Sequence, residues 1–124
     1  MTVLNETPHD GNFILSEDDE GRLSRDNVVI ASGAGALLPG TVLGKLTASG
    51  KFVPSPETAA DGSEAAVAIL VGRVDATSSD VTAVGLMRHA EVNRHGLIYD
   101  ASVDDDLKKS AKQDQLRAVG IVVR

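Results

Sequence analysis

Apolar residues along the chain come in short bursts separated by glycine, proline and acidic turns, a pattern that predicts strands more often than helices. The stretch Gly40–Leu46 alternates. If extended, Thr41, Leu43 and Lys45 point to one side, and Val42, Gly44 and Leu46 to the other. Ser49–Gly50 supplies a turn whose glycine can take positive φ, and Lys51–Val53 begins the return strand. Pro39 and Gly40 before this unit, and Pro54 and Pro56 after it, prevent either flank from continuing as helix.

The remaining bursts predict further strands. Leu23–Ile30 ends in the β-branched run Val28–Val29–Ile30, and Ala31–Ala36 reads as a small, flexible connection. Ala66–Val74 is almost wholly apolar, so it predicts one strand covered on both faces at the centre of the core. Asp75–Asp80 is a polar turn. Val81–Val92 then alternates, with Val84, Leu86, Ala90 and Val92 on one face and Met87, His89, Glu91 and Asn93 on the other. Arg88 interrupts the apolar face, which predicts either a bend there or a partner for the guanidinium. Asn93–Gly96 reads as a turn, Leu97–Tyr99 as a short strand, and Ala118–Val123 as a last strand tied into a sheet.

One helix is predicted near the C-terminus. Ser102 is its expected cap with Asp105 at the third position, lysines 108, 109 and 112 suit the helix dipole, and Val103, Leu107 and Ala111 form its apolar stripe. The sum is about seven short strands and one helix: a mostly β, small barrel- or sandwich-like domain over residues 13–124. Residues 1–12 contain Pro8, Asp10, Gly11 and Asn12, with Val3 and Leu4 the sizeable apolar side chains beyond the initiator, and predict a flexible N-terminal arm. The burst Phe13–Leu15 is followed by Ser16–Gly21, an acidic run that reads as an exposed turn and lacks the ligand spacing of a calcium loop.

Composition narrows the function. With 18 acidic and 12 basic residues the net charge is −6, and the basic residues are scattered, which argues against nucleic acid as a partner. There is no cysteine for a disulfide or a thiolate metal site. No apolar run is long enough to span a membrane, and the first residues do not resemble a secretory signal, so synthesis in the cytoplasm is expected. Phe13, Phe52 and Tyr99 are the aromatic residues, so Val, Leu, Ile and Ala must form the core, and assembly with other folded chains would add burial.

Candidate chemistry is sparse. The row His89–x–Glu91–x–Asn93–x–His95 holds residue types that bind zinc, and a small-ligand or metal-binding β module centred on His89 and Glu91 is the alternative reading. Residues two apart on one strand lie about 7 Å apart, however, which is too far to share an ion easily, and the turn at 94–96 would draw His95 out of line. Gly33 and Gly35 lack the Gly-Lys-Ser/Thr ending of a phosphate loop. No serine sits in a Gly-x-Ser-x-Gly elbow, and the acidic runs are exposed, where little separates their pKa values. The sequence therefore predicts no enzyme, and no catalytic, cofactor or metal residues are assigned.

Taken in order, Pro39–Lys45, Ser49–Lys51, Asp61–Leu70, Val74–Thr77, Arg88–Asn93 and Leu116–Arg124 resemble the lambda-type bacteriophage head decoration proteins, over roughly residues 13–124. The resemblance implies a capsid-stabilising protein made in the host cytoplasm and located in the virion. It implies homotrimers on the outside of the expanded head, at threefold and quasi-threefold positions, with the phage major capsid protein as partner. It further implies an N-terminal arm that orders on the shell by adding a strand to capsid elements. Carried onto this chain, the arm is about Met1–Leu15, and the expected capsid-binding side chains are Val3, Leu4, Pro8, Phe13, Ile14 and Leu15.

Overall fold

The computed structural model describes residues 10–18 and 23–124. Among them the strands are β1 (Ile14–Ser16), β2 (Arg25–Ile30), β3 (Gly35–Leu37), β4 (Val42–Lys45), β5 (Phe52–Pro54), β6 (Ala66–Leu70), β7 (Val74–Ala76), β8 (Val81–Leu86), β9 (Ala90–Val92) and β10 (Ile121–Val123). A 3-10 turn covers Arg94–Gly96, and one helix, α1, covers Asp106–Ala118.

Five strands close into a barrel in the order β2-β5-β4-β6-β8. The predicted unit at 40–54 is its β4–β5 hairpin, pairing Leu43 with Pro54 and Lys45 with Phe52, and Gly50 turns the corner at φ +73°. Alternation along β4 works as expected, sending Leu43 into the barrel and Val42 to its outer side. Gly44 is a glycine because the Ser63 carbonyl occupies the place a Cβ would take. Opposite it the β4–β6 register slips by one residue, leaving Val67 as the extra residue of β6. Ala66 and Ala68 consequently face opposite sides although they share parity.

Two cores result. Val28, Ile30, Leu43, Phe52, Ala68, Leu70 and Ala83 fill the barrel, with Leu37 and Ala76 of the β3–β7 pair added to them. Outside the barrel, Val42, Ile69, Val71 and Leu86 pack against a second sheet, ordered β1-β9-β10, and against Leu116 of α1. In that sheet β1 runs antiparallel and β10 parallel to β9. The C-terminus is thus tied in, as expected, and the Arg124 amide donates to the Val92 carbonyl at 2.9 Å.

Several boundaries differ from the sequence reading, each for a local reason. The apolar run 66–74 is two strands: the Val71 amide makes one more bond in the β6–β8 register, to the Val84 carbonyl, and after Gly72 the chain leaves as β7 to pair with β3, which overlaps the stretch read as a flexible connection. The run 81–92 also divides. Arg88 both marks a bend and finds partners, donating to the Leu23 carbonyl at 2.8 Å and to Asp26 at 2.7 Å. His89 takes φ +52°, and the chain moves from the barrel to the second sheet. Leu97–Tyr99 makes a single parallel bridge, Thr41 with Ile98, in place of a strand.

At the helix, Asp105 is the cap and accepts from the Lys108 amide at 2.8 Å. Ser102 is drawn into a turn of its own, donating to Asp100 at 2.6 Å. The expected stripe also fails: Val103 is buried ahead of the helix, but Leu107 is 84% exposed, and the buried helical side chains are Lys112 and Leu116. Residue 118 is the last of the helix, so the final strand starts at Ile121.

Candidate functional site

The described chain begins along the second sheet. The Gly11 amide donates to the Val71 carbonyl, and the Ile14 amide to the Gly11 carbonyl, both at 3.0 Å. The Phe13 carbonyl accepts from the Asn93 amide at 2.8 Å, and β1 continues from there with Ile14 opposite Val92. This backbone pairing fixes which way each side chain faces. Phe13 goes inward and is 3% exposed in the outer core, against Gly96, where an added Cβ would come within 2.7 Å of the Phe13 Cβ. Ile14 is half-buried against the same core, and Leu15 faces out, 54% exposed. Of the six side chains expected to bind a capsid, Val3, Leu4 and Pro8 lie outside the described residues. Among the other three, Leu15 has the most surface to offer a partner.

Leu15 is not alone. Leu23 and Val122 are 50% and 40% exposed, and they line a shallow concavity with Ser16, Glu17, His89 and Glu91. Ion pairs hold neighbouring backbone in place. Arg25 Nε donates to Glu17 at 2.8 Å, Arg88 pairs with Asp26, and the Arg124 guanidinium donates twice to Glu91, at 3.0 and 2.8 Å. The Arg124 hydrogen bonds, aided by one from the Ser16 hydroxyl, hold the Glu91 carboxyl below the usual glutamate range. The bond from Arg88 does the same for Asp26. Exposed pairs of this kind add little stability singly. They do leave a surface on which the exposed Leu23 and Val122 alternate with paired charges.

The row proposed for metal does not converge. His89 sits at the strand break with φ +52°, Glu91 is engaged by Arg124 and Ser16, and the Asn93 side chain accepts from the His95 amide at 3.0 Å to cap the 3-10 turn. Among the described residues no three His, Asp or Glu side chains are grouped so as to hold a metal ion. Glu91 and Asn93 are thus already engaged within the chain, in a salt link and a cap.

Lys112 was missed by sequence reading. It is 2% exposed, and its ammonium donates to Ser55 Oγ at 2.9 Å and to the Pro56 and Glu64 carbonyls at 2.6 Å each. Ser55 in turn donates to the Ser63 carbonyl at 2.7 Å. Burial pushes the amine below the ordinary lysine range, with Glu57, Glu64 and Asp100 opposing the shift. All three N–H bonds are used, so the side chain ties both ends of the loop between β5 and β6 to α1. A lysine six to eight residues after the acidic run Asp104–Asp106 carries no sequence signal for this. Only the position of Leu116, four residues on, hints at which helix face is inward.

Among the described residues no helix is long and apolar enough to cross a membrane. The arrangement supplies fixed backbone and outward apolar side chains, which suit contact with another folded surface. No curated protein matches the chain. The family model described as bacteriophage lambda head decoration protein D matches residues 3–121 of the 124. The chain therefore belongs to the bacteriophage lambda head decoration protein D family, whose members are structural proteins of the phage head.

Proposed function

We propose that this head decoration protein binds as a homotrimer to the outside of the expanded head, at threefold and quasi-threefold sites, and holds major capsid protein subunits together against the pressure of packaged DNA. The observation that carries the reading is the family match, which runs through nearly the whole chain and starts at residue 3. Residues 1–12 act as the arm and 13–124 as the body. Val3, Leu4 and Pro8 contact capsid elements, and the exposed Leu15 of β1 extends that contact to the second sheet. Strand addition draws its affinity from backbone hydrogen bonds, so the arm needs few distinctive side chains. Ordering it costs about 1–2 kcal/mol per residue. Holding several subunits at once offsets this through high effective concentration.

The test is cosedimentation of the purified protein with expanded, undecorated heads of its own phage, together with its solution mass by light scattering. Trimers that pellet with heads support the reading. A monomer that stays in the supernatant overturns it.

A further inference from the structure

We infer that the groove between the 3-10 turn and α1 is where a second copy of this chain docks, by placing carboxylate side chains among Arg94, His95 and Lys109. The inference rests on the self-association proposed above and names its surface.

The groove is lined by Arg94, His95, Tyr99, Lys109, Ser110 and Gln113, with Leu97 at its base and one carboxylate, Asp106, at its border. Its basic groups stand out against the rest of the surface. Arg25, Lys51, Arg88, Lys108, Arg117 and Arg124 each pair with a carboxylate of the same chain. Among the described residues, Arg94 and Lys109 make no such pair, although the chain has 18 acidic residues to 12 basic. Lys45, Arg73 and the buried Lys112 share this condition, but they do not line the groove.

The site is also preorganised. Asn93 caps the turn that carries Arg94 and His95, and Asp105 caps the helix that carries Lys109. The Lys109 ammonium lies 5.8 Å from the centre of the Tyr99 ring, which holds it over the groove. Gln113 donates to the Tyr99 oxygen at 3.1 Å, so the phenol proton is left to donate to a newcomer. Arginine, lysine and a phenol with a free proton together form a receptor for carboxylate oxygens.

Charge complementarity selects the occupant. Two chains of net charge −6 repel on average, and their contact is least opposed where unmatched cations meet surplus carboxylates. The surplus lies on the surface of the same protein, so another copy supplies it. Apart from Asp106 no carboxylate lines the groove, so the filling carboxylates come from another part of the second copy's surface.

The experiment compares wild type, Arg94→Glu/Lys109→Glu and Arg94→Lys/Lys109→Arg by light scattering across concentration and at low and high sodium chloride, with circular dichroism to confirm folding. The expected result is that charge reversal raises the concentration of half-dissociation at least tenfold, that salt weakens wild-type assembly, and that the charge-conserving variant assembles. An oligomeric wild type with an equally oligomeric reversed variant overturns the groove and leaves the trimer standing. A monomeric wild type overturns both. A reversed variant that assembles normally but no longer pellets with heads assigns the groove to the capsid protein and likewise overturns the inference.

Discussion

The buried hydroxyl of Ser24 donates at 3.0 Å to the carbonyl of His89, which takes φ +52°. Ser24 also accepts from the Asp18 amide at 3.0 Å, so one side chain pins the start of β2 to the corner where the chain passes from barrel to second sheet. A non-glycine residue in this left-handed region costs about 1 kcal/mol. His89→Gly should therefore leave stability unchanged or raise it by up to about 1 kcal/mol, whereas His89→Val should lower it. Urea denaturation midpoints decide. A large loss in the glycine variant would mean that the imidazole has a task beyond the corner.

Lys112 should be among the most sensitive polar positions. Lys112→Ala removes three donors and leaves the Pro56 and Glu64 carbonyls without their partner in a closed site, at a cost of roughly 2–4 kcal/mol. Lys112→Met keeps the packed stem and should lose somewhat less. Equilibrium denaturation measures both, and amide exchange should show faster opening of the loop between β5 and β6.

Phe13 and Leu15 are two residues apart in sequence and opposite in consequence. Phe13→Ala empties part of the outer core and should cost about 3–5 kcal/mol. Leu15→Asp should change stability by no more than about 0.5 kcal/mol. If the second sheet faces the capsid, Leu15→Asp should weaken binding to heads about tenfold or more, which corresponds to about 1.4 kcal/mol. Cosedimentation of the folded variant tests this.

Acid should loosen the second sheet. Glu91 titrates below its ordinary value of 4.5 because Arg124 and then Ser16 hydrogen-bond its charged form. A depressed folded value means that the contribution is complete above about pH 4.5 and is lost as pH falls through the folded value. Glu91→Gln should flatten that part of the stability profile without altering it near neutrality beyond the loss of the pair itself. An unchanged acid limb would show that the Arg124 link contributes nothing in solution.

Removing residues 1–9 should leave the body folded, because the bonds from Gly11 to Val71 and from Asn93 to Phe13, with β1 after them, remain. Head binding should fall sharply in the proposed function, while solution mass stays that of the parent. Loss of assembly in this deletion would move the self-contact to the N-terminal stretch.

Much of the architecture was legible because side-chain alternation and turn chemistry act locally. Val42 and Leu43 face the two cores as their parity requires, and Gly50 sits where positive φ is needed. Failures arose where a distant partner decided the outcome. The Ala66–Val74 run is continuous in hydropathy, but its second part pairs with β3 and not with the barrel strands. The helix face was misjudged because Lys112 looks like a surface residue until the carbonyls of Pro56 and Glu64 are placed beside it. At the candidate surface, sequence could nominate Phe13, Ile14 and Leu15 but not sort them, since their facing depends on the register with Val92.

The second sheet draws β1 from near the beginning of the sequence, β9 from its later part and β10 from residues 121–123. During synthesis the barrel strands all emerge before β10 does, so a ribosome that stalls late releases a product whose barrel can close while Val92 and Phe13 stay uncovered on one side. Such a fragment lacks the β10 flank of β9 and presents sticky apolar surface to cellular proteases. Joining β1 to β10 through β9 therefore makes completion of the outer layer wait until Val123 has been translated.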